Sequence, residues 1–183
     1  MVIAFSGKAQ SIDGLSLSLP LHRFKITSGF GYRMHPVTGV KNSFHSGIDL
    51  RAKSDTVFSI LQGRVVKISS DPVIGGYIVV SHGEFTSIYG HLSKSMVSVG
   101  EIVISGTSLG ISGSSGRVTG EHLHFGLKFK GYFVNPLKLL YLFTTIKNHK
   151  LFLLLLDSSE VSSPDTPILI KEKTLLTTKT EIQ

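Results

Sequence analysis

Short runs of β-forming residues, separated by glycine-rich turns, dominate the middle of the chain. Apolar residues alternate with polar ones or form brief continuous runs over 56–61, 64–68, 77–81, 85–89, 101–104, 109–111 and 122–129. Turn-forming pairs such as Asp71-Pro72 and Gly75-Gly76 separate these runs. Strands at this spacing predict an all-β fold, a small antiparallel β-sandwich or partly open barrel.

A helical pattern is expected only after this β region. The residues that follow Asn135-Pro136 place their apolar side chains on one helical face. The apolar run 151–156 is too short to cross a membrane, which takes about 20 apolar residues. Extending it back to 137 brings in three lysines. We therefore expect a short C-terminal helical tail and no transmembrane span.

These patterns divide the chain into three parts. Residues 1–20 are expected to be a leader or linker, 21–141 a single β domain, and 142–183 a partly disordered tail. The apolar run 2–5 fits the remnant of a signal peptide, although it fits an ordinary chain start equally well.

Composition narrows the chemistry that this domain can carry. The 183 residues include no cysteine, which excludes a disulfide scaffold, an iron–sulfur site and thiol catalysis. Histidine and carboxylate groups would have to hold any metal, and eight histidines are present. The net charge of +7 favours a polyanionic partner, such as nucleic acid, an anionic membrane or a cell wall, unless it only aids solubility.

A His-x-His pattern lies in the predicted strand 122–129. Side chains alternate along a strand, so His122, His124 and Gly126 share one face, and the apolar residues between them face the core. The glycine leaves room for a ligand to lie across the strand. Two imidazoles on one face can bind a metal, although a pair of surface histidines has the same pattern.

A second candidate pair is His45 and Asp49, which face the same way in an extended segment. A loop histidine followed by a strand-capping aspartate is the alternative interpretation. Together with His124 the pair would supply three ligands and leave a fourth position for water, as in catalytic zinc sites. Zinc lowers the pKa of such a water to about 7. His91 and His122 are candidates for the proton transfer that hydrolysis also needs.

Taken together, these motifs resemble the lysostaphin-like (LytM-type) zinc metalloendopeptidases, which cut peptidoglycan cross-links. The matching segments follow the family's order: Ser28–Pro36 (SGFGYRMHP), 45–49 (HSGID), 81–83 (SHG), 89–93 (YGHLS), 113–120 (GSSGRVTG), 122–125 (HLHF) and 134–137 (VNPL). The resemblance covers about 21–141.

The resemblance implies a role for each candidate residue. His45, Asp49 and His124 would bind one zinc ion. His122 would be the general base, and His91 would stabilise the oxyanion or protonate the leaving amine, with the division between these two histidines left open.

Other residues receive weaker assignments from the same resemblance. Three lie in the opening motif and are candidates for contacting substrate or orienting the ligands, unless their role is structural: Tyr32, Arg33 and His35. Three further histidines are expected to have no catalytic role: His22, His82, which should lie in a turn, and His149.

The resemblance also implies a substrate and a place of action. Peptidoglycan stem or cross-bridge peptides would lie in a groove across one sheet, walled by loops 71–76 and 112–120, and the protein would act as a monomer in the cell envelope. The main alternative is a non-catalytic family member that binds the wall and activates amidases, but such members have typically lost ligand residues. A nucleic-acid-binding barrel would need stacking aromatic residues on a basic face, and too few are present, so no nucleic-acid partner is expected.

Overall fold

The structure is a computed structural model that describes residues 10–12, 15–34 and 43–145. The described residues form fourteen strands and one helix. In chain order these are β1 (Gln10–Ile12), β2 (Leu15–Leu17), β3 (Ile26–Ser28), β4 (Gly31–Arg33), β5 (Ser43–His45), β6 (Gly47–Arg51), β7 (Thr56–Phe58), β8 (Gly63–Asp71), β9 (Gly75–His82), β10 (Phe85–Ser95), β11 (Ile102–Val103), β12 (Ser108–Ser112), β13 (His122–Phe129), β14 (Tyr132–Val134) and α1 (Pro136–Thr145).

One antiparallel sheet organises the domain. Its strands run in the order β11-β8-β9-β10-β13-β6-β3, with β12 pairing to β10 and β7 and with β14 beside β13. Every segment predicted as a strand overlaps one of these strands. The prediction of an antiparallel all-β fold is confirmed, and the described strands do not close into a barrel.

Helix α1 begins where the sequence indicated. The side-chain oxygen of Asn135 accepts a hydrogen bond of 3.0 Å from the backbone N–H of Leu137, which caps the first turn. Pro136 occupies the first helical position, where a missing N–H costs nothing. Within the described ranges no helix is long and apolar enough to span a bilayer.

The core lies against one face of the sheet because alternate residues of β13 point into it. Leu123, Phe125 and Leu127 are fully buried, as the alternation predicted. The Tyr89 ring packs against Phe125 with 5.5 Å between centroids. Leu19 also packs against this core, so the packed body begins before residue 21.

A chain of hydrogen bonds crosses the core beside this aromatic pair. The backbone N–H of Ile60 donates to the Tyr89 hydroxyl, which lies 3.0 Å from the Ser87 hydroxyl, itself 2.8 Å from Nε2 of His82. Nδ1 of His82 donates to the carbonyl of Gln62. Burial lowers the pKa of His82 and raises the pKa of Tyr89 to about 12, so both groups are neutral. The prediction that His82 lies in a turn is wrong, because it is the last residue of β9.

Candidate active site

Strand pairing brings the predicted metal ligands together. His124 of β13 and Asp49 of β6 are direct cross-strand partners, so their side chains leave the sheet on the same face. His45 ends β5, with only Ser46 between it and the start of β6, and its side chain turns toward the same point. All three side chains are almost fully buried.

The distances among the three ligand atoms fit a small tetrahedral ion. Nε2 of His45 lies 3.1 Å from Oδ1 of Asp49 and 3.1 Å from Nδ1 of His124. Nδ1 of His124 lies 3.2 Å from the same oxygen. Ligands 2.0–2.1 Å from a tetrahedral zinc ion stand about 3.3–3.4 Å apart, so the triangle is close to the size that zinc requires.

The hydrogen bond at the far side of the His45 ring favours a cation in this triangle. Nδ1 of His45 donates to the carbonyl of Gly29 at 2.6 Å, since a carbonyl can only accept. In the neutral ring, Nε2 then points a lone pair at the Asp49 oxygen. Two lone pairs at that distance repel each other unless a proton or a metal ion lies between them.

Burial and hydrogen bonding set the charges of the ligands. Burial alone would raise the pKa of Asp49, but the imidazoles of His124 and His45 beside it hold that pKa well below its usual range. Burial lowers the pKa of His124. An ionised carboxylate and a neutral imidazole are the forms that bind a metal ion.

The three residues predicted from the opening motif have different surroundings. Nη2 of Arg33 lies 3.5 Å from Oδ2 of Asp49, the oxygen that faces away from the histidine cluster. Tyr32 is 53% exposed and does not line the cleft, but its ring packs edge-on against Phe44, which does. His35 lies outside the described residues.

A β-bulge in β10 directs His91 toward the metal ligands. The pairing of β10 with β9 shifts register between Tyr89 and Leu92, and His91 adopts a positive φ of 60°. Its backbone N–H donates instead to the carbonyl of Ile74, at 2.8 Å. A bulge of this kind re-aims a side chain that regular pairing would point elsewhere. Gly90 permits the close approach, because a Cβ there would overlap the Ile74 side chain.

The two candidate proton-transfer histidines are oriented alike. Nδ1 of His91 donates to the carbonyl of Ser115, and Nδ1 of His122 donates to the carbonyl of Gly120, each at 2.8 Å. In either ring, Nδ1 is thus engaged by a carbonyl and Nε2 faces the cleft. The rings are 4.6 Å apart, and Nε2 of His122 lies 3.6 Å from Oδ1 of Asp49. Burial lowers the pKa of His91 to about 4, so this ring is neutral at pH 7 and its Nε2 accepts hydrogen bonds.

All five of these side chains line a single open cleft, together with residues from both loops that the sequence indicated. The cleft residues are Arg33, Ser43, Phe44, His45, Ser46, Asp49, Val73, Ile74, His91, Arg117, Val118, Thr119, His122 and His124. Sequence reasoning missed Phe44, although its place beside His45 was a signal. It also did not single out Ser115 or Arg117, although both lie in the glycine-rich segment 113–120 that resembles the family.

The family to which the chain belongs follows from comparison of the sequence with protein-family models. The model described as peptidase family M23 matches residues 43–136, more than half of the chain. The chain therefore belongs to peptidase family M23. The match includes all five residues of the cluster and both loops of the cleft wall.

Two proteins with similar sequences are named as endopeptidases. The chain is 40% identical over 119 residues to the peptidoglycan DD-endopeptidase ShyA of Vibrio cholerae, an alignment that covers 63% of this chain and 27% of the relative. It is 38% identical over 127 residues to the DD-carboxypeptidase/endopeptidase Mpg of Neisseria meningitidis, covering 64% of this chain and 27% of the relative. The chain thus spans about a quarter of the length of these relatives.

Solved structures share the fold. A zinc-containing peptidase from Vibrio cholerae matches with a TM-score of 0.58 and 32% identity, over 69% of this chain and 39% of that one. The catalytic domain of lysostaphin from Staphylococcus simulans matches with a TM-score of 0.57 and 28% identity, over 64% of this chain and 92% of that one. The resemblance to lysostaphin-like peptidases is confirmed, and the family together with the His-Asp-His cluster indicates a bound metal ion.

Proposed function

We propose that this protein is a zinc-dependent endopeptidase that hydrolyses peptide cross-links of bacterial peptidoglycan. The observation that carries the proposal is the cleft itself. In it, three potential ligand atoms have the spacing of a tetrahedral zinc site, and His91 and His122 lie beside them. The names of the relatives supply the substrate class. One zinc ion per chain would be held by His45, Asp49 and His124.

A zinc ion held there would supply Lewis-acid chemistry: it would polarise the scissile carbonyl and lower the pKa of a water molecule to about 7. The protein's own groups then handle the protons. Nε2 of His122, which lies beside the ligand cluster, accepts the proton of the attacking water. Nε2 of His91 becomes a donor only after it has gained a proton, because its Nδ1–H is committed to Ser115. The proton taken from the water would pass from His122 to the neighbouring His91 ring, 4.6 Å away between centroids. His91 would then stabilise the oxyanion or deliver that proton to the leaving amine.

The substrate class implies where the protein acts and what it meets. Stem or cross-bridge peptides of peptidoglycan would lie in the cleft, and the protein would work as a monomer in the cell envelope, either in the periplasm or outside the cell. The net charge of +7 suits an anionic wall polymer.

Two measurements on the purified protein test the proposal. Metal analysis should find one zinc ion per chain, and digestion of defined muropeptides should release products that mass spectrometry assigns to one cross-link bond. The variant His45→Ala should lose zinc and at least about 100-fold in cleavage rate, since even a change beside a metal ligand costs 10–100-fold. His22→Ala changes a histidine outside the cleft and should keep both. A protein that binds peptidoglycan without zinc and without cutting it would instead be a non-catalytic wall-binding protein.

A further inference from the structure

The charged groups of the cleft are unevenly balanced. Two arginines, Arg33 and Arg117, line it, and Asp49 is the only carboxylate among its lining residues in the described part of the chain. Asp49 is already engaged by the histidine cluster and by Arg33. The cleft therefore contains a cationic side chain, Arg117, with no carboxylate to neutralise it.

Acidic residues near the cleft walls are also engaged elsewhere. Oδ1 of Asp71 accepts the backbone N–H groups of Val73 and Ile74, at 2.7 and 2.9 Å. Glu121 accepts hydrogen bonds from the backbone and side chain of Ser54. Both carboxylates hold loops in place.

The backbone of Arg117 is fixed although its side chain is exposed. Its N–H donates to the carbonyl of Val73 at 3.0 Å, which ties one loop of the cleft wall to the other. The preceding Gly116 has a φ of +77° and packs so closely on Gly75 that a Cβ would lie 2.4 Å from a backbone nitrogen. The guanidinium is thus presented from a fixed position at the cleft, with no hydrogen-bond or ion-pair partner among the described residues.

We propose that Arg117 binds a carboxylate of the substrate and makes the enzyme select peptides that carry a free carboxylate near the scissile bond. This inference rests on the proposed function. A guanidinium donates two parallel hydrogen bonds to a carboxylate, whereas a carboxamide offers one acceptor oxygen and no charge. Arg33 cannot replace it, because Arg33 is directed at Asp49.

The test compares two cross-linked muropeptide dimers that differ only in the carboxyl groups beside the cross-link, free in one and converted to carboxamides in the other. The wild-type protein should cleave the free acid with a kcat/KM about 10- to 100-fold higher, the range of one charge-assisted hydrogen-bonded contact. The difference should lie in KM. Arg117→Gln should lower the rate on the acid to its rate on the amide, and Arg117→Lys should keep part of the preference.

Controls separate this inference from the proposed function. Arg23→Gln changes an exposed arginine outside the cleft and should keep the wild-type preference. The role of Arg117 would be overturned if the wild-type protein cleaved both dimers with the same kcat/KM. It would also be overturned if Arg117→Gln lowered kcat/KM equally for both dimers. If the wild type cuts neither dimer, the proposed function fails. Binding of the two dimers, measured by fluorescence anisotropy, then still decides whether Arg117 recognises the carboxylate.

Discussion

For three of the cleft histidines, a backbone carbonyl group determines which ring nitrogen faces the cleft. His45, His91 and His122 each donate Nδ1–H to a carbonyl and turn Nε2 toward the cleft. His124 differs, because its Nδ1 faces Asp49. The same residue type therefore serves in two orientations: backbone carbonyls set that of His45, His91 and His122, whereas the Asp49 side chain lies beside Nδ1 of His124.

The orientation of His91 leads to a prediction about its role. His91→Asn keeps an N–H donor for the Ser115 carbonyl and tolerates the positive φ, but it removes the acceptor at Nε2. Cleavage should fall by about 100- to 10,000-fold, the usual contribution of a proton-transfer group, while zinc content stays unchanged. Steady-state kinetics and metal analysis check this. Loss of zinc would show that His91 belongs to the metal site, and an unchanged rate would remove it from the mechanism.

The lowered pKa of His82 leads to a prediction about how folding stability depends on pH. Burial lowers its pKa in the folded state, so the unfolded chain takes up a proton more readily once the pH falls below about 6.5. The free energy of unfolding should therefore decrease from pH 7 toward pH 5. The variant His82→Gln, which does not titrate, should show a weaker decrease in its urea midpoint. Equal pH dependence in the two proteins would contradict the assignment.

The alternation within β13 shows how much of the site an element's own sequence can predict. The alternation over 122–129 was sufficient to place His122 and His124 on one face and the apolar residues in the core. The spacing of His45 and Asp49 likewise predicted their convergence. The short strands β3, β4 and β5 were not predicted because, unlike the equally short β7, none of them lies within a longer run of β-forming residues.

The rest of the site depends on contacts between distant elements. His91 reaches the cleft only because β10 bulges where its N–H meets the Ile74 carbonyl, and no local pattern encodes that register shift. The loop before β13 is held by Ser115, whose hydroxyl accepts from the N–H of Gly76 and donates to the carbonyl of Leu92. These partners are 39 and 23 residues away in sequence.

The anchoring of this loop predicts a combined effect on stability and rate. Ser115→Ala removes both hydrogen bonds of the hydroxyl and should cost about 1–3 kcal/mol of unfolding free energy. Because the Ser115 carbonyl orients His91, kcat should fall as well, with zinc content maintained. Ser114→Ala changes the exposed neighbour and is the matched control. Chemical denaturation and kinetics test the pair of variants, and a stable, fully active Ser115→Ala would refute the anchoring role.

At the scale of the whole molecule, the hydrophobic core and the cleft lie on opposite faces of the same sheet. Leu123 and Phe125 fill the core from one face of β13, while His122 and His124 reach the cleft from the other. A central strand that is held by β10 on one side and β6 on the other fixes both sets together. Strand β13 therefore positions core and site residues together, while His45 reaches the site from β5, which pairs with β4 in a separate two-stranded sheet.

This coupling predicts that metal binding stabilises the entire fold. A zinc ion held by His45, Asp49 and His124 would join β5, β6 and β13, segments up to 79 residues apart in sequence. At a free zinc concentration 100-fold above Kd, binding adds about 2.7 kcal/mol of stability, or roughly 10 °C in Tm for a domain of this size. Calorimetry with and without a chelator measures that shift. In the presence of zinc, the His45→Ala variant should have a lower Tm than the wild-type protein. The chelator should change the Tm of the variant much less. An equal response in both proteins would place the stabilising metal at another site, and no response in the wild type would mean that the cluster holds no metal.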